Sequence, residues 1–332
     1  LTGASATPEV GVLDTMFTFE VTYQDGDGDP PTTAQVLLNG EAHAMTLISG
    51  DYVSGALYRF ETTLPAGDYV HTFTFADGIN PPVATGTTDG PWVGTFLYTV
   101  GSPETEAGRR DNEPEHEVAM RWQADELLAW GHEVTQAEYE ALMGSNPSAF
   151  SGDDLPVERV TWLDAVRYCN ALSGDSLEPA YTIMGDAVTW NLDADGWRLP
   201  TEAEWEMLCR AGTTTAFANG DLADWACGSN PALEAIGWYC GNAGATTHAV
   251  AGKEANSWGL HDMHGNVAEW CWNRYTDTPG PSFSGPTTGD QRVVRGGDWY
   301  YYARDCRSAA RTGVWANSGT DRVGFRVVRT HR

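Results

Sequence analysis

The C-terminal stretch, residues 291–332, is the part of the chain that most restricts how it can fold. Its two ends, residues 292–299 and 323–328, carry the β-branched and aromatic residues of buried strands. The middle reads YYYARDCRSAARTGVWANSGTDR, a run too polar for a hydrophobic core. Rigid Tyr and Trp beside adaptable Ser, Gly and Asn are typical of binding surfaces. We therefore expect a binding surface held between two strands; the alternative is that Tyr300, Tyr301 and Tyr302 are ordinary alternating strand residues.

Length and charge narrow the class of protein. A chain of 332 residues, 41% of them hydrophobic, predicts one large or two medium globular domains. The formal net charge of -27 repels phosphate backbones and anionic membranes, so no nucleic-acid partner is expected. The sequence has no apolar run of about 18 residues, so no membrane span is expected. The chain begins with Leu1 and has no signal peptide, so we expect a processed protein whose anchor or targeting segment lies outside this sequence.

The six cysteines follow neither CxxC nor zinc-finger spacing. Cys169 and Cys209 fall in apolar helical patterns and are expected to be buried thiols. Cys227 and Cys240 flank a loop and are candidates for a disulfide, and the count leaves the redox compartment open.

Residues 1–101 alternate apolar and polar side chains in short segments that are separated by turn sequences such as DGDGDPP and PAGD. The alternation predicts strands at residues 16–23, 34–40, 56–64, 68–75 and 94–100. Short strands at this spacing are typical of a β-sandwich. The segment resembles the immunoglobulin-like repeats of prokaryotic cell-surface proteins. Residues 102–115 are polar and have no periodicity, which predicts a linker.

Three aspartates in the first turn region raise the question of calcium. Asp25, Asp27 and Asp29 stand at alternate positions, as in the first half of an EF-hand loop. Val36 occupies the position of the final Glu, and no helical pattern flanks the loop. A solvated hairpin turn is therefore favoured over a metal site.

From residue 116 onward, three helices with capping signals are set in irregular sequence. Thr135, Thr161 and Thr201 each precede an apolar periodic segment, and Glu204 completes a capping box with Thr201. Residues 213–290 are dense in Gly, Asn, Trp and Thr, which predicts short strands and ordered loops.

Six segments of this half occur in the order of a known family. They read EVTQAEYEALMGSNPSAF, PVERVTWLDAVRYCNALS, WRLPTEAEWEMLCRAG, NSWGLHDMHGNVAEW, RVVRGGDW and GFRVV. They resemble the formylglycine-generating-enzyme type of the C-type lectin fold, which implies a compact, irregular domain over residues 116–332. The predicted fold class is two domains: an all-β immunoglobulin-like sandwich over residues 1–101, followed by an irregular α+β C-type lectin fold of the formylglycine-generating-enzyme type.

The resemblance raises the question of catalysis. The sulfatase-modifying enzymes of the family bind copper through a cysteine pair shortly after the Gly-Gly motif and oxidise a substrate cysteine. The corresponding run here contains one cysteine, Cys306, so neither an enzyme nor copper is expected. The alternatives are an oxidase with a non-standard site and a structural cell-surface component.

A structural calcium site is expected in the segment DMHGNVAEW. Asp262 and Glu269 supply carboxylates, and Gly265 and Val267 supply backbone carbonyls, the oxygen ligands that calcium prefers. The family resemblance implies the same four positions. The alternative is that the two carboxylates cap nearby backbone amides.

Within the family, the C-terminal motifs are most similar to the variable proteins of diversity-generating retroelements, in which replacement at adenines diversifies a C-terminal region, here about residues 295–325. The expected ligand-binding residues are Asp298, Tyr300, Tyr301, Tyr302, Asp305, Ala310, Thr312, Gly313, Val314, Trp315, Asn317 and Asp321. Most of these are reachable from an Asn codon by changing adenines, whereas Trp315 is not and is kept as a contact residue. Trp299, in the GGDW motif, is expected to belong to a fixed frame.

The arginines of this region divide into two pairs. Arg295 and Arg311 are expected to pair with carboxylates between residues 135 and 206. Arg304 and Arg307 flank the variable positions and are candidates for ligand contact.

These observations predict a secreted or surface-displayed binding protein. The N-terminal domain is expected to act as a spacer, and the expected ligand is a protein on a cell or virus surface. A carbohydrate ligand is the less favoured alternative.

Overall fold

The computed structural model describes residues 1–122 and 126–330. The chain divides into two compact units. The first contains Leu1–Tyr98, Glu117–Arg121 and Pro281–Phe283, and the second contains Thr99–His116, Trp122–Gly280 and Ser284–Arg332. Within the described ranges, no helix combines the length and hydropathy needed to cross a bilayer. The predicted second domain, 116–332, ends in two residues that lie outside the described part of the chain.

The first unit consists of strands, as its alternating sequence predicts. They are β1 (Thr2–Thr7), β2 (Val10–Val12), β3 (Phe17–Tyr23), β4 (Thr33–Leu38), β5 (Glu41–Ala44), β6 (Thr46–Asp51), β7 (Gly55–Thr62), β8 (Gly67–Ala76), β9 (Val83–Ala84) and β10 (Thr88–Gly94). One sheet has the order β1-β3-β7-β6, and the other has the order β2-β10-β8-β4-β5 with β9 paired to β8. Strands β11 (Phe96–Val100) and β12 (His116–Met120) form a two-stranded sheet.

The two sheets of the first unit share one hydrophobic core. Every second residue of β3 is buried, and Phe17, Phe19 and Val21 pack in the same cluster as Val36 of β4 and Phe73 of β8. This alternation is the pattern expected when one face of each sheet packs inward.

The acidic turn that follows β3 is a hydrogen-bonded turn. Asp25 Oδ1 accepts hydrogen bonds from the backbone amides of Asp27 at 2.8 Å and Gly28 at 3.1 Å. This is the solvated turn favoured by the sequence, because the carboxylate satisfies the backbone locally.

The second unit contains the three predicted helices and one short additional helix. They are α1 (Gln136–Met143), α2 (Trp162–Ser173), α3 (Glu202–Arg210) and α4 (Pro231–Ile236). Thr135, Thr161 and Thr201 are the N-caps of the first three helices, and each takes part in a capping box. The caps form where the sequence predicts them because they depend only on residues within one helical turn.

Short strands complete the second unit. They are β13 (Leu127–Ala129), β14 (Tyr181–Met184), β15 (Ala187–Trp190), β16 (Gly237–Trp238), β17 (His264–Gly265), β18 (Ala268–Arg274), β19 (Gln291–Arg295), β20 (Arg311–Trp315), β21 (Val323–Gly324) and β22 (Val328–Thr330). The largest sheet in this unit has the order β20-β19-β18-β21, so residues 291–324 supply three of its strands. The disulfide between Cys227 and Cys240 forms.

Residues 102–115, predicted to be a linker, are instead packed within the second unit. The fully buried guanidinium of Arg307 pairs with Glu106 at 2.5 Å and also with the buried Glu113. Arg109 Nε donates to the Ser102 carbonyl at 3.0 Å. The polar composition that predicts a linker serves here to neutralise a buried cation.

Buried arginine–carboxylate pairs fix the other segments of the second unit. Arg198 donates to both oxygens of Glu204 at 2.7 Å, and both side chains are 2% exposed. Arg295 pairs with Glu206, and Arg311 pairs with Glu202 at 2.6 Å. The prediction that Arg295 and Arg311 bind carboxylates between residues 135 and 206 is confirmed.

The buried pair of Arg198 and Glu204 leads to a stability prediction. In Glu204→Gln the amide oxygen still accepts the Thr201 amide hydrogen, but the buried Arg198 loses its counter-charge. We expect the free energy of unfolding, measured by urea denaturation, to fall by about 3–5 kcal/mol. Arg167→Gln is the matched control, because Arg167 is half exposed and pairs with Asp164 only at 3.6 Å; its loss should stay below about 1 kcal/mol. Equal losses in the two variants would contradict a structural role for the buried pair.

Candidate functional site

Two glycines turn the chain from β19 into the loop that follows it. Gly296 and Gly297 have φ angles of 93° and 70°, a left-handed conformation that favours glycine. A Cβ at Gly297 would lie 2.7 Å from the Asp305 carbonyl oxygen and from Cys306 Sγ. Position 297 therefore admits only glycine without displacing the loop.

Asp298, predicted to contact ligand, is part of the frame instead. Its side chain is buried, and its Oδ1 accepts hydrogen bonds from the backbone amides of Tyr300 at 2.9 Å and Tyr301 at 3.1 Å. Burial raises the pKa of this carboxyl to about 6, although the two amides and Arg322 oppose the shift. The carboxylate orders the turn that carries the tyrosines.

The three consecutive tyrosines project to solvent from a turn. Tyr300, Tyr301 and Tyr302 are 59%, 44% and 41% exposed, and none of them lies in a strand. The interpretation as alternating strand residues is therefore wrong. They line a hollow of about 430 Å³ with Ala245, Trp299 and the Cys227–Cys240 disulfide. The Trp299 indole donates to the Asp321 carbonyl at 3.0 Å and is nearly buried, as a frame residue would be.

A groove of about 500 Å³ brings together most of the residues predicted to bind ligand. The members that line it are Asp298, Tyr301, Asp305, Ala310, Thr312, Gly313, Val314 and Trp315. They come from the tyrosine turn, the 3₁₀ helix Ala303–Cys306 and strand β20. Tyr300 and Tyr302 line the hollow that shares Tyr301 with this groove. Asn317 is exposed and Asp321 is half-buried, and both lie outside the two cavities.

Exposure within the groove differs from one residue to another. Trp315 is 56% exposed, whereas Ala310 is buried and its carbonyl accepts from Arg295 at 2.9 Å. Ala310, like Asp298, therefore shapes a wall and offers little side-chain surface to a ligand. Trp315 offers a large aromatic face.

The groove also contains hydrogen-bond acceptors without partners. Asp305 Oδ1 accepts from Arg110, but its Oδ2 is buried and has no partner in the described part of the chain. The same is true of Thr320 Oγ1, which also lines the groove. These two side chains give the groove wall polar character.

Arg110, Thr320 and Arg322 line the groove although the sequence does not predict them there. Arg110 lies in the predicted linker, and Thr320 and Arg322 carry no local signal that separates them from other loop residues. The paired arginines of the GRRD sequence in an acidic chain are the one available signal for Arg110. In the opposite direction, Arg307 is fully buried, so the prediction that it touches ligand is wrong.

Of the four positions expected to bind calcium, Glu269 already has a cationic partner. Both oxygens of Glu269 accept hydrogen bonds from Arg326 at 2.6 Å, and Oε2 also accepts from the Trp205 indole at 2.7 Å. A guanidinium in this position repels a cation. The Val267 amide donates to Glu133 at 3.0 Å.

The Asp262 carboxylate has a backbone partner at one of its two oxygens. Its Oδ2 accepts from the Ala251 amide at 2.6 Å, and its buried Oδ1 has no partner in the described residues. Within those residues, no group of three or more His, Cys, Asp or Glu side chains is arranged to hold a metal. Glu269 therefore acts as the counter-charge of Arg326.

The free cysteine thiols of the described residues and the imidazole of His264 are buried. Burial, together with Asp298 and Asp305, raises the pKa of the Cys306 thiol well above its usual value. His264 Nε2 accepts from the Ala218 amide at 3.1 Å, and Nδ1 contacts the Cys306 carbonyl at 2.8 Å. Burial lowers the pKa of His264 to about 4, so the ring is neutral near pH 7. These groups form part of the packed interior beneath the loop.

The Glu269 geometry leads to a prediction about calcium. Glu269→Gln should lower the melting temperature equally in calcium and in chelator, because the loss comes from the unpaired Arg326. The wild-type melting temperature should also be the same in both buffers. A fall in the melting temperature of Glu269→Gln that occurs only with calcium present would support a calcium site.

Comparisons with known proteins identify the family. The family model described as a sulfatase-modifying factor enzyme 1-like domain matches residues 93–331. The chaperone protein LppX of Paenibacillus barcinonensis is 33% identical over 60% of this chain and 78% of its own length. The formylglycine-generating enzyme of Mus musculus is 30% identical over 63% of this chain, and the match spans about half, 53%, of that enzyme.

Solved structures agree on the fold. Treponema denticola variable protein 1 has a TM-score of 0.63 and 29% identity, with 78% of this chain and 99% of that chain covered. PvdO from Pseudomonas aeruginosa has a TM-score of 0.57 and 23% identity, over 71% of this chain and 91% of that one, which supports the fold alone. The resemblance predicted from the six motifs, including that to a variable protein, is confirmed. Because the family model covers most of its length, this chain belongs to the family of sulfatase-modifying factor enzyme 1-like domains.

Proposed function

We propose that this chain is a ligand-binding protein of the receptor or adhesin type, with a surface diversified by a retroelement. The observation that carries the proposal is the convergence of eight residues predicted to bind ligand on one groove, where Asp298 and Ala310 shape the wall and the other six face it. They come from separate stretches between residues 298 and 315, and the fold brings them together. The similarity to Treponema denticola variable protein 1 supports the same function.

The chemistry of the groove suits a protein ligand. Tyr301 and Trp315 offer exposed aromatic area, and aromatic residues contribute much of the energy of protein interfaces. Asp305 and Thr320 add polar side chains to the groove wall. Since the groove and the tyrosine hollow share Tyr301, a partner can contact both, which favours a protein over a single small molecule.

The first unit is proposed to be an immunoglobulin-like spacer. Its two sheets around a common core support this assignment. A spacer is useful to a protein that presents a binding surface away from its attachment point. We therefore place the chain outside the cell or on the surface of a cell or virus particle, with its ligand on another such surface.

The proposal includes no catalysis, although relatives of the chain are enzymes by name. Oxidation of a substrate thiol through copper needs an accessible thiolate on the protein. Cys306 is buried, and its raised pKa keeps the thiol protonated near pH 7. These properties support binding over an oxidase with a non-standard site.

Residues that are diversified should contribute little to folding. We expect Tyr300→Ala, Tyr302→Ala and Trp315→Ala each to lower the free energy of unfolding by less than about 1 kcal/mol, because these side chains are largely exposed. Trp270→Ala is the matched control, since Trp270 is fully buried and its loss should cost about 3–5 kcal/mol. Urea denaturation measures both. A large loss in Trp315→Ala would mean that the exposed aromatics are structural.

The origin of the surface has a genetic test. The DNA near the gene should contain a near-copy of the codons for residues 295–325, with adenines where this chain differs, beside a reverse transcriptase. Sibling genes should differ at Tyr301, Thr312 and Val314 and agree at Gly296, Gly297 and Trp299. Constant groove residues among siblings would favour a structural surface component instead.

The oxidase alternative has a direct assay. With copper and a cysteine-containing peptide, we expect no protein-dependent thiol oxidation, and Cys306→Ser should behave as the wild type. Turnover that Cys306→Ser abolishes would overturn the binding proposal. Denaturing the protein before thiol labelling provides the control that Cys306 is present and reduced.

A further inference from the structure

Two arginines of the second unit face each other without a carboxylate between them. Arg274 of β18 and Arg292 of β19 are directly paired in the antiparallel register. Like charges at directly opposite positions destabilise a sheet. In the described part of the chain, neither guanidinium forms an ion pair with Asp or Glu. The sequence contains 46 acidic residues, so a shortage of carboxylates does not explain why these two arginines form no ion pair. The cause lies in the position of the two arginines.

Arg292 differs from the other buried arginines of the described residues. The others each pair with a glutamate; they are Arg198, Arg210, Arg295, Arg307, Arg311 and Arg326. Arg292 is 6% exposed, and its Nε is buried without a hydrogen-bond partner. Burial first, and Arg274 second, lower the pKa of its guanidinium to about 9.

Aromatic rings hold the Arg292 guanidinium in place. Its central carbon lies 3.6 Å from the centroid of Trp162 and 5.1 Å from that of Trp272, and Nη1 donates to the Trp272 carbonyl. Cation–π contacts of this kind stabilise the charge only in part, because a ring carries no net negative charge. A counter-anion would complete the environment.

A cavity of about 290 Å³ opens beside this pair. Arg274 and Arg292 form its charged side, and the half-buried rings of Trp190 and Trp272 form an aromatic side. Residues 284–287 border it. The volume suits one small organic molecule or one unit of a polymer.

We propose that this cavity binds a small organic anion, with a carboxylate or sulfate between the two guanidinium groups and a ring against Trp190 and Trp272. Guanidinium groups bind such planar or tetrahedral oxyanions through several hydrogen bonds at once. The tryptophans supply apolar area that a bare inorganic ion cannot use. An acidic sugar unit has both parts. The site shares no lining residue with the groove proposed to bind protein, so the two proposals stand independently.

Net charge sets the conditions under which binding is measured. A charge of -27 repels anions at long range. At about 0.15 M salt the Debye length is about 8 Å, so the two arginines dominate the field inside the cavity.

The test is isothermal titration of the whole chain at that salt concentration with three probes: glucuronate, which has a ring and a carboxylate; sulfate, which has charge alone; and glucose, which has a ring alone. Glucuronate should bind at one site with a Kd of about 1 mM or lower. Sulfate should bind about tenfold more weakly, and glucose should give no saturable heat. Failure of glucuronate to bind, or equal affinity for glucuronate and sulfate, would overturn the proposal.

Substitutions locate the site. Arg274→Met should weaken glucuronate binding at least about tenfold without unfolding the chain, because Arg274 is half-buried and its side chain, within the described residues, donates only to the Gly289 carbonyl. Arg167→Met removes the same charge from the exposed face of α2 and should leave binding unchanged. Arg292→Met should abolish binding. If the Arg292→Met chain does not fold, the result for Arg274→Met alone tests the site. Unchanged binding in Arg274→Met would contradict the site.

Discussion

The pairing of buried arginines with glutamates from distant parts of the chain is the interaction on which the second unit depends. Arg295, Arg307 and Arg326 lie in the C-terminal stretch, and their partners include Glu206, Glu113 and Glu269. The two residues of each pair are 57 or more positions apart in the sequence. A unit with short strands and long loops has few ladders of backbone hydrogen bonds. These ion pairs therefore hold many of its loops in place. Burying these charged groups costs desolvation free energy, but the pairs favour one arrangement of the loops over others.

In this arrangement, the residues that hold the C-terminal loop in place are different from the residues that the loop exposes to solvent. Arg307 lies beneath the tyrosine turn and is fully buried, whereas Tyr300 and Tyr302 on the turn are exposed. Asp298 belongs to the first group because its carboxylate binds the backbone amides that follow it. Exchange of an exposed tyrosine therefore leaves the pairs below it intact. A surface of this kind can vary in sequence while the fold stays the same, which is what the proposed function requires.

The sequence predicts those features whose causes are local. The capping boxes at Thr135, Thr161 and Thr201 form as expected, because donor and acceptor are three residues apart. The period of two in β3 and β8 likewise reports directly on a sheet with one buried face. For the caps and the alternating strands, a short window of sequence contains the whole pattern. The two motifs that bracket residues 298–315 locate eight of the groove residues, but not Arg110 or Arg322.

The features that the sequence does not predict depend on partners far along the chain. Glu269 has the spacing of a calcium ligand, and only the position of Arg326, 57 residues away, reveals its role. Glu113 has the composition of a linker, yet it binds Arg307, 194 residues away.

Arg292 is buried like the paired arginines but has different surroundings. Its guanidinium lies against the rings of Trp162 and Trp272, and in the described residues no protein carboxylate completes its environment. In a chain with 46 acidic residues, excluding all of them from a buried cation takes a specific arrangement of side chains. That arrangement leaves an open cavity at the one buried arginine, among those described, that lacks a carboxylate partner. The same charge balance that fixes the rest of the unit therefore directs an external anion to this position.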